Sequence, residues 1–398
     1  MNVAVVEANL GFTRSEEVVE GQAGGRRLKR ALTRPIDTPF AQQFEYRRCR
    51  VRDWSALDPA SLSFQAMGFE PISLAHSDSL QTLLSEIRQA GEISAVQARQ
   101  LRRHLQGSVF PLARGKRLKI LSVAPEGLIM RKGGPNGLQV DPDTEMSEMN
   151  GHDVAVAIHG DQDVRGTPLK QMMRGFAPWM FRHQTPDGSN RFSPLVLLNL
   201  WIPLQQITRP LTLMDRRTLN AREHQLCYAL PTDTFLQRDE DMRENDIWAF
   251  LHDDAQQWYF HSHMAHDQAY VFDTLGEPHG SFILPGEEVA EHCYLQLQRL
   301  RTQLAAGDRI APPVVPAVDL PESTTGPLRL AIESMVRLLA TAPVDNAGQP
   351  AVDVWLSRTA EVMDSVVRKS LEMRAVGLLM PDVWPFNRSA SRRGGDKV

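Results

Sequence analysis

From roughly residue 115 to 285 the chain is a succession of short apolar or alternating runs cut by Pro, Gly, Asn and Asp. They include "RLKILSVAPEGLIMRKG", "HDVAVAIHG", "PLVLLNLWIPL", "PLTLMD", "NDIWAFL", "QQWYFHSHM", "AYVFDTL" and "GSFILPG". Runs this short suit strands, not core helices. Many strands at this spacing, with turn residues between them, build a jelly roll or a barrel. A mainly β core is therefore the fold the sequence predicts.

Helical patterns flank it. "SDSLQTLLSEIRQAGEISAVQARQLRRHLQG" reads as two helices, with Ser77 or Asp78 as the first cap and Gly107 as the stop. "YRRCRVRDW" alternates like an edge strand, and "TPLKQMMRGFAPWMFRHQ" reads as a helical insert. Beyond residue 287, "EEVAEHCYLQLQRLRTQL", "GPLRLAIESMVRLLATA" and "AVDVWLSRTAEVMDSVVRKSLEMRAVGLL" carry apolar residues at helical spacing. In the last, Trp355, Val362, Val366 and Met373 share a face. Three zones follow: a mixed N-terminal segment at 1–110, the β core at 111–286, and a helical extension at 287–398 with a Pro-rich linker and a basic, disordered tail "SRRGGDKV". The extension is expected to buttress the core or to form a homo-oligomer interface.

Composition narrows the function classes. A formal net charge of −4, from 44 Lys and Arg against 48 Asp and Glu, gives no electrostatic footprint for nucleic acid. The three cysteines, Cys49, Cys227 and Cys293, are far apart, which argues against a zinc knuckle or a disulfide framework. No run approaches the length of a membrane span, and the N-terminal apolar run is too short for a signal peptide. The expectation is a soluble cytoplasmic protein without nucleic-acid or membrane partners.

"AIHGDQD" places His159 and Asp161 two residues apart at the end of an apolar run. On an extended strand such residues point the same way. Two imidazoles and one carboxylate on one face hold a non-haem iron and leave the opposite positions open. The third ligand must come from a later strand, where His183, His224, His252, His261, His263, His266 and His279 compete. His261 and His263 could pair in an all-histidine, cupin-like cluster. His279 stands in a Pro-His-Gly context at a strand start.

The ordered set of motifs resembles the CmcJ/AsaB-like oxygenases, a group that includes a cephamycin methoxylation component and fungal hydroxylase/desaturases. "VRDW…GFE" (Asp53, Gly68, Phe69) resembles the early strand and Gly-Phe element of that group. "IHGD" resembles its His-x-Asp pair, and "NLWIPL" (Asn199, Trp201, Pro203) its Asn-x-Trp-Arg-Pro strand. "RPLTLMDRRT", "WYFHSHMAHDQAYVFDT" and "PHGSF" resemble its later segments in order. The resemblance spans roughly residues 50–285. It implies a double-stranded β-helix, Fe(II) held by His159, Asp161 and His279, and 2-oxoglutarate and O₂ as cosubstrates. The implied reaction is hydroxylation, desaturation or ring closure at an unactivated C–H of a small molecule in specialised metabolism. Asn199 and Trp201, alternating on one strand, are candidates to line the substrate pocket.

Three departures stand out. Ile202 replaces the family arginine of Trp-Arg-Pro, and Gln268 replaces a family Glu. The group also places an arginine after the distal histidine, in a Ser-Ile-Glu-Val-Arg-like strand, to clamp the far carboxylate of 2-oxoglutarate. Here no Arg or Lys falls between His279 and Arg299. Arg299 or Arg301 could reach back, Arg216 or Arg217 could substitute, or 2-oxoglutarate is not used. The alternatives are a cupin-like iron oxidase or dioxygenase without that cosubstrate, and a non-catalytic β-roll binding module.

Overall fold

The computed structural model describes residues 5–381 except 24–25, 33–43, 59–62, 126, 141–146, 148, 165–177, 187, 232–243, 309, 312, 314, 316–318 and 344–348. Most of the expected helical insert at 167–184 and the whole basic tail lie outside the described residues.

The strand Leu195–Gln206, "LVLLNLWIPLQQ", shows how the core is built. It is apolar almost throughout and is buried on both faces. Val196, Leu198, Leu200, Ile202 and Leu204 pack outward with Leu80, Leu84, Ile87 and Leu101 of the helices Asp78–Ala90 and Ala95–Leu105. Trp201 turns the other way, into a cluster with Phe69, Leu211, Leu213, Tyr259, Tyr270 and Phe272. Period-2 alternation thus serves two cores at once.

Two sheets enclose that inner cluster. The larger runs, in spatial order, Val5–Thr13, Phe44–Asp53, Trp258–Phe260, Leu211–Met214, His279–Ser281, His159–Gly160, Glu244–Phe250, Gln225–Pro231, Arg26–Ala31 and Val18–Ala23. The smaller runs Phe69–Ser73, Gln268–Asp273, Leu195–Gln206, Arg368–Pro381, Lys116–Val123 and Val109–Leu112, with Ile129–Gly133 also paired to Arg368–Pro381. Between residues 195 and 281 the chain crosses repeatedly from one sheet to the other, which gives a double-stranded β-helix. The helices Glu287–Ala305, Gly326–Ala340 and Gln349–Ser365 cover the outer face of the larger sheet, against Val6, Leu10, Val51, Trp258 and Phe282. No helix among the described residues is long and apolar enough to cross a membrane.

The N-terminal helices start as the sequence indicates. Ser77 caps the first, and Ser94 with Gln97 forms a capping box on the second. Three local readings need correction. Phe44–Asp53 is not an edge strand; it pairs on both sides, with Cys49, Val51 and Asp53 buried and Arg48, Arg50 and Arg52 exposed. The run before His159 is not a regular strand. It is held by single contacts, Ile158 N–H to Gly11 O (2.8 Å) and Ser281 N–H to Ala155 O (2.9 Å).

The third correction reaches the site. Helical spacing does not continue through residues 366–380. The helix ends at Ser365, and Arg368–Pro381 is a central strand paired with Leu195–Gln206 on one side and Lys116–Val123 and Ile129–Gly133 on the other. Leu371, Met373 and Ala375 face the outer helical core. Their neighbours Arg368, Ser370, Glu372 and Arg374 therefore face the space between the sheets. A strand that is polar toward the interior and apolar toward a covering layer inverts the usual pattern, so apolar content alone does not reveal it.

Candidate metal centre and its cationic lining

His159 and His279 lie directly opposite each other on adjacent antiparallel strands. Opposed residues project to the same face, and the two rings come within 4.4 Å, centroid to centroid. The chain bends at Asp161 after the short His159–Gly160 strand. Asp161 Oδ1 lies 3.7 Å from His279 Nε2 and 3.9 Å from His159 Nε2. Ligand atoms each roughly 2.1 Å from one ion must lie within roughly 4.2 Å of each other, and both distances meet that limit. Among the described residues this trio is the one His/Cys/Asp/Glu group whose ligand atoms converge in this way.

Both rings are set by the same device. His159 Nδ1 bonds Ala157 O at 2.8 Å, and His279 Nδ1 bonds Glu277 O at 3.0 Å. A carbonyl only accepts, so each Nδ1 carries the proton and each Nε2 offers its lone pair inward. Asn199 Nδ2 donates to Asp161 Oδ2 at 3.1 Å, leaving Oδ1 facing the histidines. Replacing Asn199 by alanine frees that carboxylate to rotate. The expected result is a 10–100-fold loss of Fe(II) affinity, the range for an outer-shell partner, read by anaerobic titration with the melting temperature unchanged.

The electrostatics favour metal-ready forms. Burial, reinforced by His279, pushes His159 down to about 4. Burial opposes ionisation of Asp161, but His279, Arg374, His159 and the Asn199 hydrogen bond outweigh it and hold Asp161 down to about 2. Neutral His159 in the folded protein and protonated His159 in the unfolded chain make stability rise with pH between about 4 and 6.5. The metal-free protein is therefore expected to lose about 2–3 kcal/mol on going from pH 7 to pH 4 through this group. Urea midpoints of wild type and His159→Gln over that range test this. The variant should show the shallower slope.

The arginines singled out in the sequence lie elsewhere. Arg216 is half-buried and held between Asp273 (2.8 Å) and Glu277 (3.2 Å). It thereby steadies Glu277, whose carbonyl holds His279. Gly68 makes room for this cluster: its φ is +94°, and a Cβ there would fall 1.7 Å from Glu277 Oε2. Arg217 pairs with Asp215 at 2.6 Å and is largely exposed. Arg299 is exposed on the helix Glu287–Ala305, and Arg301 contacts Met363 Sδ within the helical layer. Two are thus occupied by carboxylates and two sit on the covering helices. The rival histidines do not converge either. His261 packs edge-on against Trp54 and accepts from His263 N–H, while His263 is exposed.

What the sequence reading missed is the inner face of Arg368–Pro381. Arg374 stands opposite Asn199, with Nη2 3.8 Å from Asp161 Oδ1. Glu372 stands opposite Trp201 and accepts from Arg131 Nε at 2.8 Å. Arg368 is 1% exposed. Its guanidinium lies 5.3 Å from the centre of the Trp201 ring, donates to Arg209 O (2.8 Å) and Ser370 Oγ (3.3 Å), and leaves Nε without a partner among the described residues. Trp201 in turn stacks on Tyr270, whose ring is fully buried. The missing signal was present as "RKSLEMR", which carries the Ser-x-Glu-x-Arg order at residues 370–374, displaced by the helices that follow the His279 strand.

Residues 153–291 match a family model described as an oxidoreductase/YMDC permease-like domain. That segment spans His159, Asp161, Asn199 and His279 and ends before Arg368. No curated protein matches. Among solved structures the chain is similar to an iron and alpha-ketoglutarate-dependent endoperoxidase, NvfI, at 13% identity and TM-score 0.45, with 94% of this chain and 98% of that one covered. It is similar to a variant of the same protein at 12% identity and TM-score 0.47, with 94% and 97% covered.

Proposed function

We propose that the protein is a non-haem Fe(II) oxygenase that uses 2-oxoglutarate and O₂ on a small organic substrate, with His159, Asp161 and His279 as the iron ligands. The observation that carries this reading is the convergence of two imidazoles and one ionised carboxylate between the sheets, backed by a buried arginine with no carboxylate in salt-bridge range among the described residues. The donor set suits iron in type and number. The oxidoreductase description of the family matched by residues 153–291 agrees with it.

The residues divide the work as follows. Bound iron with 2-oxoglutarate supplies O₂ activation, coupled to decarboxylation of the cosubstrate to succinate and CO₂, and removal of hydrogen from an unactivated C–H bond. Ala157 O and Glu277 O keep the histidine lone pairs inward, and Asn199 keeps Asp161 turned to the metal. Arg368 and Ser370 take the far carboxylate of the cosubstrate. Trp201 is two residues along the strand from Asn199, a step of roughly 6.6–7 Å. A guanidinium over Trp201 therefore lies one step beyond the Asp161 contact, within reach of a five-carbon diacid chelating through its oxo-acid end. The apolar walls of Trp201 and Tyr270 keep water from this pair, which strengthens it.

The cupin-like alternative without 2-oxoglutarate drew its support from the lack of an arginine soon after His279; the inward-facing Arg368 on the later strand Arg368–Pro381 favours the 2-oxoglutarate reading instead. The reaction outcome, whether hydroxylation, desaturation or ring closure, rests with substrate geometry. Succinate formed from 2-oxoglutarate by the iron-loaded protein in air tests the cosubstrate assignment. Oxygen uptake without succinate would reject it.

A further inference from the structure

Two turns bracket Arg368. One follows the strand Leu195–Gln206: its Arg209 carbonyl accepts from Arg368 Nη1 at 2.8 Å, and Thr208 Oγ1 donates to Val366 O at 2.7 Å. The other follows Gly133, which stands opposite Arg368 in register, and contains Asn136. Both turns hold a costly backbone shape. Arg209 has φ +48° and Asn136 has φ +54°, in the left-handed region. Asparagine tolerates that region, whereas a residue such as Arg209 stays there only when its surroundings over-determine it.

One carboxylate constrains both turns. Glu287 Oε1 accepts from Arg209 N–H at 2.7 Å and from Leu284 N–H at 2.9 Å, and Glu287 Oε2 accepts from Asn136 N–H at 2.8 Å. Glu287 is the first residue of the helix Glu287–Ala305 and is 0% exposed. One turn further along, Glu291 accepts from Asn136 Nδ2 at 2.6 Å. The helix itself does not need a buried acid here. Ala290, Cys293, Tyr294 and Leu297 anchor it by apolar contact, and Glu288 already provides a first-turn carboxylate for the helix dipole. Burying a charge is costly unless its hydrogen bonds are made, and two of the three made here reach turns outside the helix.

We propose that Glu287 is a positioning residue for the cosubstrate: by fixing the Arg209 and Asn136 turns it holds the Arg209 carbonyl on Arg368 and so aims the Arg368 guanidinium over Trp201. This rests on the reading above, in which Arg368 takes the far carboxylate of 2-oxoglutarate. The other hydrogen bond from Arg368 to a described residue is the longer one to Ser370 Oγ, 3.3 Å. Without the Arg209 carbonyl the guanidinium keeps its place in the strand but loses its stronger directional restraint. The covering helices thus have a task beyond burying the sheet, because their first residue sets the anion-binding end of the site.

The test measures 2-oxoglutarate and Mn(II) affinities of the full chain by calorimetry, with Mn(II) in place of Fe(II) so that no turnover occurs. Glu287→Ala should weaken 2-oxoglutarate binding roughly tenfold or more, the loss expected from one misplaced charge-assisted bond, and should change Mn(II) affinity less than about threefold. Adding Arg209→Gly to that variant should recover 2-oxoglutarate affinity about threefold or more, because glycine keeps the carbonyl and holds a positive φ without strain. A loss that extends to Mn(II), or that glycine does not recover, marks a general packing defect and would overturn the proposal. So would wild-type 2-oxoglutarate affinity in Glu287→Ala when Arg368→Met has lost it. Glu287→Asp, whose carboxylate is one methylene short of the two turns, is read in the same way if the alanine variant does not fold. Normal 2-oxoglutarate affinity in Arg368→Met would instead overturn the cosubstrate reading, and this proposal with it.

Discussion

Replacing His279 by alanine is expected to weaken Fe(II) binding by more than about 100-fold. Loss of an outer-shell partner alone costs 10–100-fold, and His279 supplies one of three direct ligands. It lies opposite His159 in register, so no neighbouring backbone shift can bring in a substitute. His261 and His263 are engaged around Trp54 and each other. The variant should keep its fold, because the removed ring makes one hydrogen bond, to Glu277 O. Anaerobic titration followed by gel filtration and iron assay checks this. Unchanged iron affinity would transfer the third ligand to the His261 and His263 segment.

Arg368→Met should separate cosubstrate binding from metal binding. Burial pushes the Arg368 guanidinium down to about 9, so it is still charged at neutral pH in a place that disfavours charge. Methionine keeps much of the length and the contact with Trp201 while removing that charge. Each charge-assisted bond to a carboxylate contributes about 1.5–3 kcal/mol. Losing two predicts at least about a 100-fold rise in the 2-oxoglutarate dissociation constant, with Fe(II) affinity nearly unchanged. Stability should move the opposite way. Replacing a buried charge by an apolar side chain of similar size is often neutral or stabilising, so the metal-free variant should melt at or above the wild-type temperature. Isothermal titration and a thermal melt check both halves. A destabilised variant with normal 2-oxoglutarate affinity would make Arg368 a structural residue.

Much of the candidate site was legible in the sequence because its signals are local. His159 and Asp161 are two residues apart, and Pro278-His279-Gly280 is contiguous. Strand existence was legible wherever a run was apolar on both faces, as at Leu195–Gln206. The run before His159 escaped that logic. Its backbone is tied by Ile158 N–H donating to Gly11 O and by Ala155 O accepting from Ser281 N–H, contacts that no periodicity records.

The cationic half was illegible for a different reason. The helices Glu287–Ala305, Gly326–Ala340 and Gln349–Ser365 intervene between the His279 strand and its continuation at Arg368. A search for an arginine soon after the distal histidine therefore ends in helix. Val366 and Met373 also fall in phase with Trp355 and Val362 of the preceding helix, which hides the change to period 2. The alternation of Arg368, Ser370, Glu372 and Arg374 against Leu371, Met373 and Ala375 was the available clue. It points charged residues inward, so it makes sense only once an anion-binding interior is considered.

The most direct test of iron and 2-oxoglutarate binding at this site is an anaerobic titration of the metal-free protein with Fe(II), first alone and then with 2-oxoglutarate, followed by visible absorption. The expected result is one iron per chain and a new charge-transfer band that appears only when both are present. Absence of iron binding by the wild type, or binding with no band at saturating 2-oxoglutarate, would contradict it.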